Sequence, residues 1–97
     1  MATSSRSSDL QTVSAQIAKG ANRVNSVSLL GDNVNVSTVT LFDTASSTAT
    51  GKILAKVVAR ASDAQNHIIF TNPIYAELGI YAQLTGIGGN YIVYFGA

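Results

Sequence analysis

Residues 80–95 read IYAQLTGIGGNYIVYF, and this stretch gives the clearest indication of the fold class. Ile80, Ala82 and Leu84 alternate with polar or aromatic neighbours, which is the period-2 pattern of a half-buried β-strand. A second strand is predicted at residues 91–95, with apolar side chains on both of its faces. Such a strand is expected in the middle of a sheet or at an interface. The glycine-rich residues 86–90 between the two strands predict a hairpin loop.

Similar strand patterns occur upstream, and clusters of Gly, Asn, Asp and Ser separate them. A change of phase near Ser37 and Thr38 predicts a β-bulge. Pro73 is expected to end its strand, because proline cannot donate a hydrogen bond to a β-ladder. With about seven strands at this spacing, the chain is predicted to be all-β, a single antiparallel β-sandwich or jelly roll.

Two segments fit either a strand or a helix. Residues 10–18 alternate in polarity, but Ser8 and Gln11 also fit a helix-capping box. Residues 52–61 contain good helix formers together with β-branched side chains. A strand is the preferred interpretation of both segments, since the surrounding chain is β-rich. Residues 1–9 have nothing apolar to bury beyond Met1 and Ala2, so we expect a flexible N-terminal arm ahead of a β-sandwich domain at residues 10–97.

Charged residues are scarce. They form 11% of the chain while hydrophobic residues form 46%, and six basic and five acidic side chains must cover the whole exterior. An ordinary soluble domain has about 25% charged residues. We therefore expect part of the surface to be a protein interface, although a soluble monomer solvated by Ser, Thr, Asn and Gln would also account for the composition.

The composition argues against several classes of partner. The basic residues are scattered and the net charge is +1, so no nucleic-acid partner is expected. The chain has neither a run of about 18 apolar residues nor the apolar core of a signal peptide, so no membrane partner and no standard export are expected. Without cysteine there is no disulfide framework or thiolate metal site.

The inventory of catalytic side chains is small, and no enzyme, cofactor or metal site is predicted. His67 is the one histidine and begins a predicted strand, where it is expected to form hydrogen bonds. Asp32, Asn33 and Asp43 lie in predicted turns without the spacing of a calcium loop.

Tyrosines are concentrated in the last quarter of the chain, whereas the first 41 residues contain no aromatic residue. Tyrosine is enriched at protein interfaces, but aromatic residues also mark a sandwich core, and both interpretations remain open. Tyr81 and Tyr94 are the better interface candidates, because each lies opposite the more apolar face of its own strand. The candidate interface residues are Tyr75, Tyr81, Tyr91 and Tyr94.

Residues 10–96 resemble small β-sandwich virion proteins of tailed bacteriophages. The segments that carry the resemblance are Ala15-Gln16-Ile17-Ala18, Asn22-Arg23, Val27-Ser28-Leu29, Val39-Thr40-Leu41-Phe42-Asp43, Ile69-Phe70-Thr71-Asn72-Pro73-Ile74, Gly79-Ile80-Tyr81-Ala82-Gln83-Leu84-Thr85-Gly86 and Tyr91-Ile92-Val93-Tyr94-Phe95.

Among such proteins, the resemblance favours a capsid decoration or cement protein. It implies a non-enzymatic structural role on the capsid exterior, synthesis in the host cytoplasm, the major capsid protein or other virion subunits as partners, and a homotrimer. One alternative is a tail, neck or fibre-adaptor subunit, which would share these sequence features. A carbohydrate-binding module is another, because exposed tyrosines on a sandwich could stack on a sugar ring.

Overall fold

The computed structural model describes residues 6–60 and 65–96, which form eight β-strands and no helix. The predicted all-β antiparallel sandwich is confirmed, with eight strands where about seven were expected. The strands are β1 (Arg6–Ser7), β2 (Ala15–Lys19), β3 (Asn22–Leu30), β4 (Ser37–Asp43), β5 (Lys52–Ala59), β6 (Gln65–Ala76), β7 (Gly79–Gly86) and β8 (Asn90–Gly96).

The strands form two four-stranded sheets with the order of a jelly roll. Sheet A is β1-β8-β3-β6 and sheet B is β2-β7-β4-β5. The antiparallel pairs β1·β8, β2·β7, β3·β6 and β4·β5 correspond to one long hairpin whose tip is the β4–β5 connection. Rolling this hairpin up places successive pairs alternately in the two sheets, and the further pairs β3·β8 and β4·β7 then form.

The core lies between the sheets and follows directly from the period-2 patterns. Val27 and Val93 are register partners in sheet A, and both are fully buried. Val39 and Leu41 of sheet B are also fully buried. Burying each side chain of this size stabilises the folded state by roughly 1.5–3 kcal/mol. The last strand has apolar residues on both faces and lies inside sheet A, between β1 and β3, as expected for a central strand.

The N-terminal segment changes sheets along the edge of the sandwich. The Ser8 amide donates to the Val93 carbonyl at 2.9 Å, and the Val93 amide donates to the Ser8 hydroxyl at 2.8 Å. Gln11 forms reciprocal backbone hydrogen bonds with Tyr91, and the chain then crosses to pair with β7 in sheet B. The free edge of β8 is thereby covered, which removes a site for unwanted strand pairing.

The structure of this segment shows which of the two interpretations of residues 10–18, helix or strand, is correct. Residues 15–19 form strand β2, and no residue from 10 to 18 is helical. Residues 1–5 of the predicted arm lie outside the described residues. Arg6 and Ser7 pair with Phe95 and Tyr94, so the last part of the predicted arm is hydrogen-bonded to sheet A. The flexibility of the remainder and the domain boundary stay predictions. Residues 52–59 form β5, so the strand interpretation is confirmed there too.

Pro73 does not end its strand, contrary to the prediction. Strand β6 continues to Ala76, because Pro73 falls in an irregular stretch that needs no ladder hydrogen bond. Ile69 pairs with Ser26 and Ile74 pairs with Val24, so the residues between Ile69 and Ile74 have no register partner in β3. β6 is also an edge strand, where proline is tolerated.

Two predictions about connections were also wrong. Residues 87–89 join β7 of sheet B to β8 of sheet A, so they cross between sheets and do not form a hairpin loop. The change of phase near Ser37 reflects the start of β4 at that residue, since residues 31–36 are a loop. The register irregularity of β4 lies between Leu41 and Phe42, opposite β5.

Candidate interaction surfaces

Tyr91 belongs to the core and is 1% exposed, so of the four candidate tyrosines it is the one removed from the surface. Its side chain points between the sheets, because it pairs with the buried Leu29. The hydroxyl donates a 2.8 Å hydrogen bond to the Val13 carbonyl. Burial, with a smaller contribution from Tyr81, raises the pKa of Tyr91 to about 12. A structural role follows for this residue.

Tyr94 and Tyr75 lie on the outer face of sheet A. Tyr94 makes an edge-to-face contact with His67, with ring centroids 6.4 Å apart and an interplanar angle of 74°. Tyr75 is half exposed, and the Arg23 guanidinium carbon lies 5.5 Å from its ring centroid. That distance is within the range of a cation–π interaction. The contact observed for His67 is therefore with an aromatic ring, and the hydrogen bonds expected for it stay a prediction.

The outer face of sheet A carries little charge. Register places His67 and Ile92 opposite Ser28, on the face away from the buried Val27. Ile69 is also on this face and is 72% exposed. Among the described strand residues that point outward here, Arg23 is the one with a formal charge. The face therefore combines aromatic and aliphatic side chains with short polar ones, a composition typical of an interface core.

Tyr81 lies on the opposite side of the molecule, on the outer face of sheet B. It pairs with Phe42 and Gln16, and all three point away from the core. Thr40 and Gln83 follow on the same face, so this surface is more polar than that of sheet A. The structure thus separates the candidate tyrosines into the core, the outer face of sheet A and the outer face of sheet B.

A further surface, which the sequence did not predict, lies at one end of the sandwich. The connections β1–β2 (residues 8–14), β3–β4 (31–36) and β7–β8 (87–89) meet there, and we call this the loop end. Large aliphatic side chains, each between 52% and 72% exposed, are concentrated in these three connections. They are Leu10, Val13, Val34, Val36 and Ile87.

Side chain to backbone hydrogen bonds fix the shape of the loop end. One Asp32 carboxylate oxygen accepts from the Val34 and Asn35 amides at 2.9 and 2.8 Å. These bonds, with one from the Asn35 side chain, lower the pKa of Asp32. The Ser37 hydroxyl donates to the Ile87 carbonyl at 3.2 Å and joins the first residue of β4 to the β7–β8 connection. Val34 and Ile87 are therefore presented on a defined scaffold.

The opposite end of the sandwich contains most of the cationic side chains, and we call it the basic end. The residues that define it are Arg6, Lys19, Arg23, Lys52, Tyr75 and Leu78. Leu78 follows β6 and is 55% exposed, and its carbonyl accepts from the Gly20 amide at 2.8 Å.

Asp43 organises the tight β6–β7 connection at the basic end. Its carboxylate accepts from the backbone amides of Glu77, Leu78 and Gly79 at 3.1, 2.8 and 3.4 Å. Burial raises the pKa of Asp43, but these hydrogen bonds and the charge of Lys52 outweigh that effect, so the pKa is lowered overall. The carboxylate therefore has a structural role, because it stabilises the β6–β7 connection.

The described residues contain no group of three or more His, Asp or Glu side chains that could hold a metal ion. An open depression of about 440 Å³ is lined by Ser28, Leu29, Leu30, Gln65, Asn66 and His67. His67 is its one titratable group, so it lacks the paired acid and base of a hydrolytic site. With no helix in the described part of the chain, none is available to cross a membrane.

Comparison of the chain with protein-family models, with curated proteins and with solved structures finds no match. The function is therefore inferred from the surfaces themselves.

Proposed function

We propose that this chain is a non-enzymatic structural protein of a phage virion, a capsid decoration or cement protein that stabilises the shell by bridging major capsid subunits. The observation that carries the proposal is the unusual surface. Aliphatic side chains that are more than half exposed crowd the loop end, and the outer face of sheet A has one formal charge in its described strands. Exposed apolar surface of this kind marks interaction sites.

The fold suits a protein that must resist mechanical force. Every connection except β4–β5 passes between the two sheets, so the chain itself ties the layers together. No buried side-chain nitrogen or oxygen of the described residues lacks a hydrogen-bond partner. Jelly rolls occur in viral capsid proteins, but also in lectins and cupins, so the fold alone does not select a function. A small rigid body that bridges several subunits strengthens a shell, because modest contacts add through avidity.

In this proposal the outer face of sheet A contacts the major capsid subunits. Tyr75 and Tyr94 supply large side chains with a polar tip, and Ile69 and Ile92 supply aliphatic area beside them. Aromatic anchors surrounded by uncharged residues are the usual centre of a stable interface. A homotrimer on the capsid exterior remains the expected assembly, as the resemblance to phage decoration proteins implies.

The number of copies in purified virions tests the assignment. A shell protein occurs at symmetry-equivalent positions over the whole capsid, so on the order of hundreds of copies are expected. A tail, neck or fibre-adaptor subunit would instead give roughly six or twelve copies, following the tail symmetry. Quantitative mass spectrometry against the major capsid protein measures this number, and the smaller value would overturn the decoration assignment.

A carbohydrate-binding module is the alternative that one observation favours. Tyr75 is half exposed on a sheet face beside Arg23, which is an arrangement able to stack on a sugar ring. A glycan array would support this alternative if it detected millimolar or tighter binding that was lost in Tyr75→Ala and kept in Tyr91→Phe.

A further inference from the structure

The loop end and the basic end differ in charge as well as in position. In the described residues, the three connections of the loop end contain Asp9 and Asp32 and no basic residue, and Arg60 follows β5 at the same end. The basic end contains four of the six cationic residues of the chain, together with Asp43 and Glu77. The molecule is therefore electrostatically polarised along its strands.

One acidic side chain at each end is engaged by backbone amides, so the difference in charge between the ends depends on the number of cations. Asp43 at the basic end accepts from three backbone amides of the β6–β7 connection, and Asp32 at the loop end accepts from two amides of its own connection. The four cations of the basic end outnumber Asp43 and Glu77, so that end has a net positive charge. In the described residues of the loop end, Asp9 and Asp32 outnumber Arg60. Opposite potentials on two surfaces favour their association and fix its orientation.

Both ends also expose apolar area. Val34 and Ile87 at the loop end are 72% and 69% exposed. Leu78 and Tyr75 at the basic end are each more than half exposed, beside Lys19 and Arg23 respectively. Contact between the two ends would remove apolar surface from water on both partners and bring opposite charges to the rim. Contact between two loop ends would bring like charges together.

We propose that the loop end of one copy docks on the basic end of a second copy, in a head-to-tail contact. The two patches are different surfaces of the same chain, so the contact is heterologous: it closes into a ring if the rotation between copies permits, and otherwise continues as a filament. This self-association does not depend on the role in a virion.

Two end-specific variants test the geometry. The first, Val34→Ser with Ile87→Ser, removes apolar area from the loop end. The second, Leu78→Ser with Lys19→Ser, weakens the basic end. All four side chains are exposed, so both variants should fold, and circular dichroism with a thermal melt verifies that they do. Ile69→Ser is the matched control for self-association, because Ile69 is as exposed as Val34 but lies part-way along β6, away from both ends.

Sedimentation equilibrium at up to about 1 mM protein, where weak contacts are populated, gives the mass of each sample. The wild-type chain and Ile69→Ser should both associate beyond the 10.1 kDa monomer. Each end-specific variant alone should remain at the monomer mass. An equimolar mixture of the two should form a species of about twice the monomer mass and stop there, since each complex uses the one intact loop end and the one intact basic end.

The proposal is overturned if the wild-type chain stays monomeric, or if either end-specific variant alone assembles like the wild type. It is equally overturned if Ile69→Ser abolishes association, which would place the contact on the face of sheet A, or if the mixture of folded variants remains monomeric.

Discussion

The hydroxyl of Tyr91 donates a 2.8 Å hydrogen bond to the carbonyl oxygen of Val13. This bond joins a buried side chain of sheet A to the segment that crosses from sheet A to sheet B. Tyr91 also forms the backbone bridge with Gln11, so one residue holds the N-terminal segment by its main chain and its side chain. The covered edge of β8 therefore depends on a core residue.

Tyr91→Phe should lower the free energy of unfolding by about 1 kcal/mol, because it deletes this hydrogen bond and keeps the ring in the core. Urea denaturation at neutral pH measures the change. The matched control is Tyr75→Phe, whose ring is half exposed, and its effect should be close to zero. Equal effects of the two substitutions would contradict the structural role of the Tyr91 hydroxyl.

The raised pKa of Tyr91 predicts a loss of stability at alkaline pH. Its folded pKa of about 12 exceeds the unfolded value of about 10, so the folded state favours the neutral phenol. The stabilising contribution is complete below about pH 10 and is lost as the pH rises towards 12. Urea midpoints measured from pH 8 upward should fall less steeply for Tyr91→Phe than for the wild type. Identical slopes would contradict the prediction.

Gly86→Ala should be strongly destabilising, by about 3 kcal/mol. Gly86 has φ +96°, and an added Cβ would collide with the Val36 carbonyl oxygen and lie 2.9 Å from the Ser37 Cα. Gly20→Ala is the control, because Gly20 has a similar φ of +79° but nothing within 4 Å of the added atom. That substitution should cost about 1 kcal/mol for the backbone conformation alone. Thermal denaturation compares them, and equal losses would contradict the close packing of the loop end.

Asp43→Asn should lower the free energy of unfolding by about 1 kcal/mol at pH 7, since the charged acceptor of three backbone amides is lost. The pKa of Asp43 is lowered in the folded state, so its stabilising contribution is present above the ordinary value of about 3.9 and is lost as the pH falls through the folded pKa. The difference between Asp43→Asn and the wild type should therefore shrink in acid. Glu77→Gln, at an exposed side chain next to Leu78, should show neither effect in the same urea titrations.

The strands could be predicted because their side chains alternate between the two faces and the inward-facing ones are apolar. Ile80, Ala82 and Leu84 do face the interior, although the last is only partly buried. Connections were harder to predict, since a short glycine-rich segment such as residues 86–90 has the same chemistry whether it joins neighbouring strands or crosses between sheets. The pairing of β3 with β8, which decides that question, is long-range and has no local signal.

The surfaces were predicted only in part. Tyr94 lies outside the core because its strand neighbours Val93 and Phe95 are inside, which the alternation indicates. The local sequence does not distinguish Tyr91 from any other residue of a strand that is apolar on both faces. Tyr91 is buried because sheet B packs over it. Val34 and Val36 alternate with polar residues, as strand residues do. The sequence therefore did not show that both lie exposed in a loop, which becomes clear from the start of β4 at Ser37.

Electron cryomicroscopy of purified virions shows where the chain lies in the particle and so tests whether it is a capsid decoration protein. We expect density fitting this jelly roll at many symmetry-equivalent positions on the outside of the shell, with the face bearing Tyr75 and Tyr94 against the major capsid subunits. Density for the chain in the tail alone, or virions that lack the chain, would show that it is not a capsid decoration protein.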